Sequence, residues 1–149
     1  MKKVFAAFIS IALLLWAAAA AAQDAKVITS HQDFGDYRVT YSVFNSDFIP
    51  PEIARKYNLV RARDRAFVNI SVAKIGEIQG TSAAVSGTAT NLIQQSRQLD
   101  FKEIRDNKAV YYLAPLRFEH EETLTFKVDL TLPDGSDHQV TFRRQLHKN

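Results

Sequence analysis

Leu124, Phe126, Val128, Leu130 and Leu132 are apolar at every second position, with Thr125, Lys127, Asp129 and Thr131 between them. A period of two puts alternate side chains on opposite faces of an extended chain, so this run reads as a strand with one face buried. A strand of that kind is stable only if the rest of the chain supplies a second apolar layer. Tyr37, Val39, Tyr41 and Val43 repeat the pattern, as do Val68, Ile70 and Val72.

Further strands are expected over 83–92, where Gly87 marks a bulge or a close backbone approach, over Leu99, Phe101 and Ile104, and over 109–118. Pro115 suggests an edge position or a break in pairing within the last of these. Pro133-Asp134-Gly135 turns the Leu124–Leu132 strand into a C-terminal hairpin completed by Val140, Phe142 and Leu146. The segment 48–59, opened by Asp47 or Pro50, is the only helical candidate, with Ile53, Tyr57 and Leu59 facing inward. The chain therefore reads as an all-β protein of about seven strands with one short helical insert. An antiparallel β-sandwich is the natural solution and an open barrel the runner-up. The expected core is Tyr41, Val43, Val68, Ile70, Val72, Phe101, Leu124, Phe126, Val128, Leu130 and Phe142.

Residues 1–22 are a different object. They hold Lys2, Lys3, no acidic group and 19 apolar residues, ending in six alanines. Ala20 and Ala22 fit a signal-peptide cleavage site, giving Gln23 as the first mature residue; an uncleaved anchor is the competing reading, because Val4 to Ala22 is uncharged throughout. Residues 23–33 read as a flexible polar lead-in and 34–149 as one sandwich domain. Without the leader, the net charge falls from +3 to +1, which removes any global call for nucleic acid. The chain has no cysteine, so lipid anchoring through cysteine, disulfides and thiol chemistry are excluded. The leader points to the periplasm, with secretion as the second choice, and to a mature chain that does not span a membrane.

Candidate chemistry is sparse. His31 and His147 lie near the mature termini, and His138 beside the Pro133-Asp134-Gly135 turn. His120 sits in Glu119-His120-Glu121-Glu122, which reads as a solvated acidic loop. Ser86-Gly87 lacks a nucleophile elbow, and Gly76 and Gly80 lack the lysine and helix of a phosphate loop. No catalytic residue, metal or cofactor is expected. The local asymmetry is basic: Arg55, Lys56, Arg61, Arg63 and Arg65 fall within 11 residues around Tyr57, so an anionic ligand meets both charge and a ring face. Asn45, Ser46 and Asp47 stand between aromatics, suited to capping the helix or to lining a small polar pocket.

The stretch 34–54, with Phe44-Asn45-Ser46-Asp47-Phe48 before two prolines and a helix, resembles the bacterial family catalogued as domain of unknown function 4426. The Asn69 strand, Val85-Ser86-Gly87, Tyr111-Tyr112 and Leu124-Thr125-Phe126 also fit it. The resemblance implies an immunoglobulin-like sandwich in the periplasm and carries no activity or site residue. The expected function is a non-enzymatic module binding an envelope protein or component, with Asn45, Ser46, Asp47, Arg55, Lys56, Tyr57, Arg61, Arg63 and Arg65 at its surface. The alternative is a small hydrolase or ligand-binding enzyme pairing Asn45, Ser46 and Asp47 with a remote histidine.

Overall fold

In a computed structural model, which describes residues 27–149, the alternating run from Leu124 becomes a central strand of one of two stacked sheets. The expected leader, and the lead-in as far as residue 26, lie outside the described residues. The strands are β1 (Ser30–Phe34), β2 (Tyr37–Asn45), β3 (Arg65–Lys74), β4 (Ala84–Thr90), β5 (Ser96–Leu99), β6 (Lys102–Asp106), β7 (Ala109–Arg117), β8 (Glu122–Thr131) and β9 (Asp137–Leu146). Five form a sheet in the order β1-β2-β3-β7-β6 and four a sheet in the order β5-β4-β8-β9. All pairings are antiparallel. The arrangement is a sandwich rather than a barrel.

Among the described residues, nine strands replace the expected seven for two reasons. Ser30–Asp33, assigned to the lead-in, instead pair with β2 as part of β1. Asp33 accepts a 2.8 Å bond from Arg38 across that hairpin, and the bond holds its carboxyl below the usual carboxylate range. The strand expected around Leu99, Phe101 and Ile104 is two strands, because the chain crosses at Asp100-Phe101 from the four-stranded sheet to the five-stranded one. Pro115 lies in β7, an interior strand, opposite Phe67 of β3. On its other side β6 pairs only as far as Leu113, so the proline occupies a one-sided part of the ladder, where its missing N–H costs little.

The main core joins both inner faces through Val39, Val68, Ile70, Val72, Leu124, Phe126, Val128 and Val140. Of the expected core residues, Tyr41 and Phe101 are only half-buried against it; Tyr41 stacks on Phe142 with ring centroids 4.6 Å apart. A second cluster lies on the outer face of the five-stranded sheet, where Phe67, Ile104 and Leu113 meet Ile49 and Ala54 of the helical insert. Consequently Ala66, Phe67 and Val68 are buried in succession, which breaks the period-two pattern at the start of β3.

Gly87 sits mid-strand in β4 between Leu99 of β5 and Val128 of β8. A Cβ there would stand 2.7 Å from the Lys127 carbonyl oxygen and 3.3 Å from Val128 Cα, so the expected close approach is real. Because the obstacle is backbone, Gly87→Ala is expected to destabilise the fold by about 1–3 kcal/mol. Urea denaturation checks this, and an unchanged midpoint would count against the tight β4–β8 contact.

Candidate functional site

The connection from β2 to its antiparallel neighbour β3 builds one end of the sandwich. It comprises a 3-10 turn (Ser46–Phe48), helix α1 (Pro51–Lys56) and a loop to β3. Pro51 occupies the first turn of α1, where its missing N–H has no intrahelical partner to lose. A helix of six residues has little stability of its own. Ile49 and Ala54 hold it to Phe67, Ile104 and Leu113, and the inward set Ile53, Tyr57 and Leu59 packs half-buried around them.

Neither the 3-10 turn nor α1 has a side-chain cap, so Ser46 and Asp47 do not serve the capping role expected of them. The physical reason is that all three polar residues are engaged elsewhere. Ser46 is fully buried; its hydroxyl donates to the Ala62 carbonyl and accepts from the Ala62 amide, both at 2.8 Å. Asn45 Nδ2 donates to the His147 carbonyl at 2.8 Å, and Asp47 Oδ2 accepts from Asn149 Nδ2 at 2.7 Å. The trio thus closes the β2–β3 loop and straps down the C-terminal tail.

The basic residues divide into two groups. Arg55, Lys56, Arg61 and Arg63 are exposed. Arg61 donates to the Asp47 carbonyl at 3.1 Å, and Lys56 lies 5.2 Å from the Tyr57 ring centroid. Arg65 differs: it opens β3, is half-buried, and its Nε is buried without a hydrogen-bond partner. The acids that offset the cluster are Glu52, which is exposed, and Asp64, which pairs with Arg117 at 3.3 Å. Among the described residues, Arg55 and Arg63 make neither ion pair nor side-chain hydrogen bond.

The turn before β8 borders the same tail. Glu122 does not share a face with His120 as a strand would require. It binds Arg97 at 2.6 Å and accepts from the Glu119 amide at 2.7 Å, while Glu121 adopts the left-handed region at φ 59. His120 Nδ1 accepts from the Lys148 amide at 3.1 Å, and its ring meets that of His147 edge-on at 5.9 Å. One atom each from His120, Glu121 and His147 lie within 4.8 Å of one another. His147 and Asn149 stand at the chain end, where local sequence assigns no fixed position. Counting outward from the Pro133-Asp134-Gly135 turn, through Thr131 opposite Asp137 to Glu122 opposite Leu146, places the tail beside the His120 turn and was the available signal.

The hydrolase alternative needs a histidine against Ser46, Asp47 or Ser86. His138 instead bonds Ser136 Oγ at 2.9 Å and stacks on Phe34 with centroids 4.2 Å apart. His120 faces Lys148, and the Ser46 hydroxyl is committed to Ala62. A groove of ≈ 500 Å³ includes Ser86, Asp129, Thr131 and His138; it lies along β4, β8 and β9, away from the 45–65 segment.

A DUF4426 family protein of Pseudomonas aeruginosa, known from its crystal structure, is 29% identical, with a TM-score of 0.74 over 81% of this chain and 96% of that one. Copper-bound FetP of uropathogenic Escherichia coli, in a variant form, shares the fold at 8% identity and a TM-score of 0.60, over 83% of this chain and 92% of that one. FetP as isolated after expression in the periplasm of E. coli gives 9% and 0.59, over 83% and 98%. No curated protein matches the chain. The family model for this domain of unknown function matches residues 31–149, and the chain belongs to the DUF4426 family.

Proposed function

We propose that the chain is an exported, non-enzymatic binding module of the bacterial envelope, and that its partner is an anionic envelope protein or component meeting residues 45–65. The supporting observation is the division of roles within that segment. Asn45, Ser46 and Asp47 hold the β2–β3 loop and the tail together, while Arg55, Lys56 and Arg63 stay exposed on a helix and loop packed to the sheet. A cationic surface fixed in this way meets an anionic partner without first ordering its own backbone. The sequence supports the compartment through Lys2, Lys3, the apolar stretch from Val4 and the small residues at Ala20 and Ala22. No helix among the described residues is long and apolar enough to cross a membrane. FetP, itself described as copper-bound in one form, contributes the fold to this reading and nothing about ligands.

The test is cross-linking of the chain in its own periplasm, with Arg55→Glu/Arg63→Glu as the paired variant. These two arginines are preferred to Arg61, which donates to the Asp47 carbonyl, and to Arg65, which is half-buried. Charge reversal is expected to reduce the cross-linked partner at least about tenfold, since like charges brought together at an interface cost several kcal/mol. Equal yields from both proteins would remove the basic face from consideration.

A further inference from the structure

We propose that His120, His147 and Glu121 bind one divalent transition-metal ion, with Asn45 and Asp47 acting as positioning residues that keep His147 in place. The first ground is chemical: two imidazoles and a carboxylate form a donor set that suits Cu²⁺, Ni²⁺ or Zn²⁺, with Cu²⁺ the tightest. The second is geometric. The three donors already lie within 4.8 Å of one another, and His120 Nε2 is 4.0 Å from Glu121 Oε1. Donors bound to one ion at about 2.0–2.2 Å stand roughly 3–4 Å apart. Side-chain rotation alone closes that gap, since all three residues are exposed.

The third ground is the scaffold. A histidine two residues from a chain end is normally too free to ligate well, because its ordering entropy opposes binding. Here the tail is held at three points. Leu146 pairs with Glu122, the His147 carbonyl accepts from Asn45, and Asn149 donates to Asp47. The polar trio thereby gains a role that neither capping nor pocket lining describes.

Metal binding has a specific consequence at Lys148. In the neutral ring, His120 Nδ1 holds the lone pair that accepts the Lys148 amide proton, so Nε2 carries the ring proton. An ion taking Nδ1 replaces that amide directly. An ion taking Nε2 requires the ring proton to move to Nδ1, which then has nothing to accept with. Either way the Lys148 amide loses its acceptor. The Lys148 ammonium, 3.3 Å from Glu119 Oε2, opposes a cation at this end and limits the affinity.

The experiment titrates Cu²⁺, and separately Zn²⁺, into the tag-free mature chain from Gln23 to Asn149. It is read by calorimetry, by the Cu²⁺ paramagnetic resonance spectrum and by the Lys148 amide signal. One equivalent is expected to bind, with two nitrogen ligands and a shifted Lys148 amide. His120→Ala and His147→Ala are each expected to weaken binding at least about tenfold. Asn45→Ala is expected to weaken it by about tenfold with the nitrogen count unchanged, the behaviour of a residue acting through a ligand. Asp47→Asn, which retains an acceptor oxygen for Asn149, should bind nearly as the parent does. Thermal unfolding of each variant without metal shows that its fold is intact. Unchanged affinity in both histidine variants overturns the proposal, as does loss of binding in His31→Ala instead or a stationary Lys148 amide at saturation.

Discussion

Phe67→Ala is expected to lower stability by about 3–5 kcal/mol, the cost typical of removing a buried phenylalanine. Phe67 is 1% exposed and lies in β3, an interior strand of the five-stranded sheet. Its ring fills the space beneath Ile49 and Ala54, beside Ile104 and Leu113. Phe44 is 6.2 Å away, centroid to centroid, and does not replace it. Truncation leaves a cavity under α1, and a six-residue helix has no independent stability with which to stay in place. Amide exchange in residues 49–57 should therefore accelerate more than exchange in β8. Phe126→Ala is the contrast, because that ring belongs to the main core between the sheets. It should cost a similar amount while α1 opens only with the whole domain. Urea denaturation and site-resolved exchange separate the two cases. A loss below about 1 kcal/mol for Phe67→Ala, with α1 unchanged, would contradict the anchoring role given to the ring.

The pair Phe67 and Phe126 also marks what could be read from the sequence. Phe126 stands in a strict alternation, Leu124 to Leu132, whose two faces meet different solvents, so a period of two assigns it at once. Val68, Ile70 and Val72 are legible for the same reason. Phe67 escapes because its face of β3 is covered by an insert that is remote from it in the fold's logic, though near in sequence. Burial on both faces removes the alternation that reveals a strand. β1 escapes differently: His31, Gln32 and Asp33 are exposed, and an edge strand so polar has no apolar face to betray it. At the candidate site, Arg55 and Arg63 stand exposed where the charge cluster suggested, since solvation of lone arginines needs no tertiary context. Asn45, Ser46 and Asp47 were legible as special but not in role. Their partners, His147, Ala62 and Asn149, are separated from them by 102, 16 and 102 residues, and only the hairpin register brings the two distant ones close.

Ser46→Ala is expected to cost about 1–3 kcal/mol, a large effect for the loss of one oxygen. The hydroxyl has one proton to donate and lone pairs to accept with, and the donor and one acceptor site serve a single partner, Ala62. Removing it orphans the Ala62 amide, at about 1–3 kcal/mol for a group left unpaired, while the Ala62 carbonyl keeps the bond it accepts from the Arg65 amide at 3.2 Å. Ser46 itself is 0% exposed, whereas Ala62 is half-buried, so water reaches the Ala62 amide in part and keeps the cost within that range. The consequence reaches beyond stability, because Ala62 sits between Arg61 and Arg63. Without the clamp, residues 58–64 lose their fixed point, and the cationic loop must be ordered again whenever a partner binds. Ser46→Ala should then weaken partner capture as well as folding. Ser46→Cys, which keeps the volume but hydrogen-bonds weakly, should fall between the two proteins on both measures. A midpoint for Ser46→Ala in urea within about 0.5 kcal/mol of the parent would show that the Ala62 contact is not structural. The same pair of hydrogen bonds is why this serine makes a poor nucleophile. Its proton is held by a carbonyl and its lone pair by an amide, and a general base has no approach to either.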